Sequence, residues 1–166
     1  MADRDSRPSP LSPSAMMPEG QATEHRQAAM ALLARATLLE LKAAMERFHP
    51  LPKTLDLRAP ETGLVMVRGR VGGDGAPFNL GETTVTRATI QVEGGATGTA
   101  YLLGRAPEEA RLAAVLDALW QDDALRIAVE DALTPVRRRL AEEVRCAEAD
   151  AEATKVDFFT MVRGED

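Results

Sequence analysis

The chain has 166 residues, a formal net charge of −6 and a pI near 5.1; 45% of it is hydrophobic and 28% charged, but only 4% is aromatic. That length suits one domain, able to bury roughly two-thirds of the surface its unfolded chain exposes, with a core built on Leu, Val, Ala and Met rather than on large rings. The acidic balance argues against a general nucleic-acid binder, whose phosphate-tracking surface raises the pI, and the single cysteine, Cys146, excludes an intramolecular disulfide and fits a reducing cytosol.

Residues 1–22 are rich in Pro and Ser and lack periodicity, a composition that cannot offset the entropy of ordering, so they are expected to be a disordered tail. Asp3 and Asp5 stand among the first charges with no apolar run behind them, which is unlike a secretory signal. No stretch approaches the ~20 apolar residues that cross a bilayer, so the expected setting is cytoplasmic, with no membrane. Residues 23–166 are expected to form a single domain.

From Glu24, Ala28, Ala29, Leu32, Leu33 and Ala36 recur at helical spacing. Thr37-Leu38-Leu39-Glu40 is a capping box, in which the Thr hydroxyl and the Glu carboxylate each satisfy an orphan backbone N–H, so two short helices are expected to meet near Thr37. Pro50 and Pro52 close that helical region.

The middle of the chain reads as β. Leu57-Arg58 and then Leu64 to Val71 are strand-like, with Val65, Val67 and Val71 on one face. Gly72-Gly73-Asp74-Gly75 makes a turn. The next strand, Thr83 to Glu93, places Thr86, Ala88, Ile90 and Val92 on one side and Val85, Arg87, Thr89 and Gln91 on the other. Gly94-Gly95 signals a tight turn, and Thr97 to Leu103 returns as a third strand. Short turns between such runs predict an antiparallel meander.

Pro107 followed by Glu108 and Glu109 opens a helix, with Leu112, Val115, Leu116 and Leu119 as its buried stripe. Pro135 ends one helix and opens another, in which Val136, Leu140, Val144, Ala147 and Ala151 share a face. Helices, then strands, then helices predict an α+β domain, its N-terminal and C-terminal helices packed on the meander.

Familiar catalytic signatures do not emerge. His25 and His49 lack metal-ligand partners at a suitable spacing, no His/Cys cluster suits zinc, and the Gly-rich loop lacks the Gly-Lys-Ser/Thr ending of a phosphate-binding Walker loop. Gly72, Gly73 and Gly75 read first as a wide hairpin turn and second as a nest of backbone N–H groups for an anion. Arg68 and Arg70, two apart, share a strand face opposite the valines, and Arg87 lies on the non-core side of the following strand. Three guanidinium groups on one surface would suit phosphate, phosphonate or carboxylate; the competing reading is the solvated face of a half-buried sheet. The chain ends Val156-Asp157-Phe158-Phe159-Thr160-Met161-Val162-Arg163-Gly164-Glu165-Asp166, with two of its four phenylalanines in the last nine positions. Burying Phe158, Phe159, Met161 and Val162 is worth roughly 1.5–3 kcal/mol each, so they either fold back or insert into a partner.

Several of these segments resemble the PhnG family, the G component of the phosphonate carbon–phosphorus lyase core complex. They are Glu61-Thr62-Gly63-Leu64-Val65, the loop Gly69 to Gly75 with Phe78, Gly81 to Ala88, Gly104-Arg105, Asp117-Ala118-Leu119 and the ending Val156 to Gly164. The resemblance runs in order from about Glu24 to the C-terminus and leaves out the Pro/Ser-rich tail. It implies assembly with subunits H, I and J, two copies of each, and with the ATP-binding-cassette-like component L. It also implies a share in displacing adenine from ATP by methylphosphonate, which gives α-D-ribose 1-methylphosphonate 5-triphosphate, with ATP as substrate of the complex and no cofactor or metal in this chain. Nucleosidase chemistry belongs to the I component in that family and radical iron–sulfur chemistry to J; a lone Cys146 supplies no cluster ligand set. The implied role is structural or allosteric support of the I component rather than catalysis by this chain alone. In that frame Phe158, Phe159, Met161, Val162 and Arg163 become a partner interface, and Arg68, Arg70, Arg87 and Gly72, Gly73 and Gly75 become candidates for the triphosphate or a subunit contact. The alternatives are a subunit that lends residues to a shared anion site and a stand-alone small-anion (phosphate or phosphonate) binding module.

Overall fold

The computed structural model describes residues 19–155. Helix α1 (Glu19–Leu33) takes in residues 19–22, within the stretch expected to be disordered; residues 1–18 lie outside the described range. Helix α2 (Leu38–Met45) starts at Thr37 through the capping box: the Glu40 N–H donates to Thr37 Oγ1 at 3.3 Å and the Thr37 N–H to Glu40 Oε2 at 2.8 Å. Those two bonds stop α1 from running on into α2.

Three strands follow, β1 (Thr54–Arg70), β2 (Pro77–Val92) and β3 (Thr97–Leu103), in an antiparallel sheet of order β1-β2-β3. The two strand-like runs of β1 are one strand, bulged between Asp56 and Arg58 and again before Glu61. Bulges and Pro60 are tolerated there because β1 is an edge strand. β2 begins at Pro77, earlier than its alternation suggests, while Val71 leaves the sheet and joins the turn. β3 pairs with β2 only from Val85↔Leu103 to Gln91↔Thr97. From Leu64 to Arg70, therefore, β1 and β2 continue as a two-stranded ribbon about 23 Å long, at ~3.3 Å per residue.

Helices α3 (Pro107–Trp120), α4 (Arg126–Ala132) and α5 (Thr134–Ala153) complete the described chain. α3 lies across one sheet face, burying Ala110, Ala113, Ala114, Leu116 and Leu119 against Ala88, Ile90, Ala100 and Leu102. It approaches so closely at Gly98 that a Cβ there would stand 1.9 Å from the Ala114 carbonyl oxygen. α1, α2 and α4 flank α3, giving the α+β arrangement of helices on a meander. α5 is anchored only by its first turns: Val136 and Leu140 are buried, whereas Val144, Ala147 and Ala151 on the same expected stripe are exposed. Its second half has left the core.

Candidate functional site

Register decides which side chains share a face. Thr86, Ala88 and Ile90 are fully buried under α3, and Thr86 pairs with Thr62, so the even-numbered positions of this region face the helices. Thr86 is the polar hinge there: its Oγ1 donates to the Gly104 carbonyl at 2.7 Å, accepts the Ala106 N–H at 3.0 Å and lies 3.0 Å from the Thr62 hydroxyl. The odd-numbered face is the outer one, on which Glu61, Arg87 and Tyr101 form a cross-strand row.

The expected arginine surface divides on this geometry. Arg87 shares the outer face with Val65 and Val67, and the register places Arg68 and Arg70 on the opposite, helix-side face, about 23–30 Å further along the ribbon at ~3.3 Å per residue. The structure therefore does not bring the three guanidinium groups together. Alternation along one strand shows that Arg68 and Arg70 oppose the valines, but pairing across strands is needed to place Arg87, and it goes with the valines. Arg87 is also occupied: its Nε donates to Glu61 Oε1 at 2.6 Å, and Arg58 reaches the same oxygen at 3.4 Å. The Glu61 carboxylate first, and the Tyr101 hydroxyl next, hold the Arg87 guanidinium above its ordinary pKa.

Arg68 and Arg70 stand near the ribbon tip. Arg68 is exposed and makes no hydrogen bond or ion pair among the described residues, and Arg70 donates to the Gly75 carbonyl at 3.2 Å. The Gly-rich segment is the hairpin turn between β1 and β2, closed by the Gly75 N–H to the Val71 carbonyl at 2.9 Å. Gly72 and Gly73 have φ of 61° and 89°, conformations that glycine adopts without strain.

Beside Asp74, Asn79 and Glu82, much of what surrounds these arginines is apolar and uncovered among the described residues. On the outer face Val65 is 40%, Phe78 43% and Leu80 61% exposed, with Val67 beside them; on the helix-side face Leu64 is 64% and Met66 50% exposed. Leu80 is the extra residue of a bulge between Val67↔Gly81 and Arg68↔Asn79, and it lies over Gly69, its Cδ1 2.7 Å from where a Cβ would stand. Tyr101 and Leu103 extend the outer patch onto β3. A half-buried sheet ordinarily carries polar residues on its open face; patches of this kind mark interaction sites. Burying the six ribbon side chains would contribute on the order of 10 kcal/mol, comparable to the cost of association. Phe158, Phe159, Met161, Val162 and Arg163 lie outside the described residues.

Two ion pairs that composition does not reveal fix the body behind the ribbon. Asp117, 1% exposed on α3, accepts Arg26 Nε at 3.0 Å, Arg26 Nη2 at 2.8 Å and the Thr99 N–H at 2.8 Å, so one carboxylate ties α1, α3 and β3 together. The signal for it was a single acid inside the otherwise apolar run Leu112 to Trp120. Arg139 on α5 donates to both Glu40 oxygens at 2.9 Å and to the Arg35 carbonyl at 2.9 Å. The Arg139 hydrogen bonds, aided by Thr37 and opposed by partial burial, hold the Glu40 carboxyl down at about 2. Among the described residues no group of three or more His, Cys, Asp or Glu side chains could hold a metal ion, and no helix is long and apolar enough to cross a membrane.

The segments that build this ribbon and turn recur in known proteins. The family model described as "Phosphonate metabolism protein PhnG" matches residues 24–164, a span that includes the ribbon, the turn and the apolar C-terminal segment. The chain belongs to the PhnG family. A relative from Rhizobium meliloti (strain 1021), the α-D-ribose 1-methylphosphonate 5-triphosphate synthase subunit PhnG, is 52% identical over 141 residues, covering 85% of this chain and 90% of that protein. The PhnG match begins within α1, so the Pro/Ser-rich segment is outside the shared family region.

Proposed function

We propose that this chain is an assembly subunit of a cytoplasmic α-D-ribose 1-methylphosphonate 5-triphosphate synthase, serving phosphonate breakdown. In that reaction a methylphosphonate oxygen forms a bond to the ribose C1′ of ATP while the C–N bond to adenine breaks. The chain supports the nucleosidase component I within a complex that also holds H and J, two copies of each, and works with the ATP-binding-cassette-like L. The observation that carries this reading is the long β1–β2 ribbon, apolar and uncovered, on a chain that aligns over 85% of its length with a protein named as a subunit of that synthase. A surface of that kind is what a permanent partner covers. ATP is then a substrate of the complex rather than a cofactor of this chain.

A second reading has one observation in its favour: Arg68 and Arg70 stand exposed on one ribbon face beside a turn of glycines, a geometry suited to an anion. There the chain lends residues to a shared triphosphate site. Arg87 is a weaker candidate, since Glu61 already holds it. The stand-alone anion-binding module fits least well, because it leaves the apolar ribbon without a purpose.

Co-expression of the chain with subunits H, I and J tests the assignment, with complex mass read by light scattering. The expected result is a stable hetero-oligomer that forms adenine from ATP and methylphosphonate once L is added, and that is lost when the chain ends before Phe158. A monomer that ignores those subunits refutes it. Replacing Arg70 with Ala separates the two readings: assembly intact with activity down by orders of magnitude assigns the chain a share in the chemistry.

A further inference from the structure

The ribbon has two properties that a flat docking surface would not explain. It is apolar on both faces, through Val65, Val67, Phe78 and Leu80 on the outer side and Leu64 and Met66 on the helix side. Both of its edges are also open: β1 is the edge strand of the sheet, and β3 stops at Leu103 with the Gly104 N–H still donating to the Thr84 carbonyl, so the outer edge of β2 from Pro77 to Thr83 has no neighbouring strand among the described residues. Native proteins seldom leave such a strand pair in water, because its unpaired backbone groups and apolar side chains recruit other chains. A surface laid against one face would leave the other face wet.

Charge is distributed along the ribbon as well. Arg68 and Arg70 are the cations near its end, against Asp74 in the turn and Glu82 opposite Met66; among the described residues Arg68 is unpaired and Arg70 holds only a backbone carbonyl. An apolar stem with two donors near its tip complements a recess that is apolar at the sides and anionic further in. The size is right too: a standard interface engages roughly 20–30 residues a side, and the ribbon with its turn, Tyr101 and Leu103 provides that many.

We infer that the β1–β2 ribbon inserts into a cleft of the neighbouring synthase subunit, whose two walls are apolar and whose floor carries carboxylates that receive Arg68 and Arg70. The inference rests on the subunit reading above and adds to it the element that docks and the chemistry of its receptor. Phe78 and Leu80 meet one wall, Leu64 and Met66 the other, and the glycine turn lets the tip fit a narrow space.

The test uses the full chain with its co-expressed subunits and two double variants, Phe78→Asp/Leu80→Asp for the outer face and Leu64→Asp/Met66→Asp for the helix-side face. All four side chains are exposed, so each variant is expected to retain the circular dichroism and melting midpoint of the free chain. Each is expected to weaken assembly at least 100-fold. If the outer-face variant abolishes assembly and the helix-side variant does not, the ribbon lies on a surface and the cleft is refuted. Arg68→Glu/Arg70→Glu is expected to weaken assembly at least 10-fold; intact assembly with lost activity would mean that the tip meets a substrate anion, and would overturn the carboxylate floor. Should the unaltered chain fail to join these subunits, the subunit assignment falls separately. The ribbon is then judged on the free chain, where concentration-dependent self-association abolished by both double variants would assign it to a second copy of this chain and overturn the synthase cleft. A monomer at every concentration, with freely exchanging ribbon amides, sinks it.

Discussion

Replacing Asp117 with Ala is the sharpest test of how the body of this protein is held. The carboxylate accepts three hydrogen bonds, two from the Arg26 guanidinium and one from the Thr99 N–H, and only 1% of it meets solvent. Removing one partner of a buried pair costs about 3–5 kcal/mol when the survivor stays buried and charged. Here the Arg26 side chain is 33% exposed, so water can reach it and the cost falls below that range, to about 1–2 kcal/mol. The Thr99 N–H is orphaned as well in a half-buried site, and an unsatisfied buried donor costs about 1–3 kcal/mol. Together these predict a loss of about 3 kcal/mol, a large fraction of a typical 5–15 kcal/mol stability. For a chain of this length the melting midpoint should fall by about 6–12 °C. Urea titration of the free chain gives the value directly, followed by circular dichroism and by fluorescence of Trp120, the only tryptophan, which is buried one turn from Asp117. Asp117→Asn should cost nearly as much, because an amide presents its NH2 to donors that need an acceptor. A double-mutant cycle with Arg26→Met should show coupling above about 1 kcal/mol. If Asp117→Ala costs less than about 1 kcal/mol, or the coupling is zero, the reasoning about this carboxylate is wrong.

Gly98→Ala should be severely destabilising, by about 3 kcal/mol or more, since the added Cβ would stand 1.9 Å from the Ala114 carbonyl oxygen and 2.5 Å from the Ala118 nitrogen, both helix backbone. Gly63→Ala, where nothing lies within 4 Å, is the control and should change the urea midpoint little. The Glu40–Arg139 pair predicts a pH dependence. Glu40 is held at about 2 against an ordinary 4.5, so the unfolded state binds more protons across that window. Its stabilising effect is complete above pH 4.5 and disappears as the pH falls toward 2. Partial solvation reduces its size to about 1–2 kcal/mol, and Glu40→Gln should flatten the slope of urea midpoint against pH between those two values.

Much of the fold was legible in the sequence because its signals act over a few residues. The capping box at Thr37 and Glu40, the Pro107-Glu108-Glu109 helix start, the Gly94-Gly95 turn and the alternation that buries Thr86, Ala88 and Ile90 each depend on neighbours within one or two turns of chain. The shared segments from Glu61 to Gly164 carried the family assignment for the same reason, since a motif is a local property. The exposed arginines and the apolar ribbon were present as residues, but their arrangement was not. Whether Val65 faces a core, whether Arg87 stands with Arg68 or against it, and whether Val144 is covered all turn on how far β1 and β2 outrun the helices and on which positions pair. Asp117 likewise finds Arg26 across a separation of 91 residues. Such contacts are fixed by packing between elements distant in the chain, where register and crossing geometry, rather than local periodicity, determine which side chains meet. The sequence by itself determined the order of helices, then strands, then helices, and the family. Tertiary structure alone decided that the ribbon stands clear of the core with both faces uncovered, because only the placement of α3 and the early end of β3 leave it there.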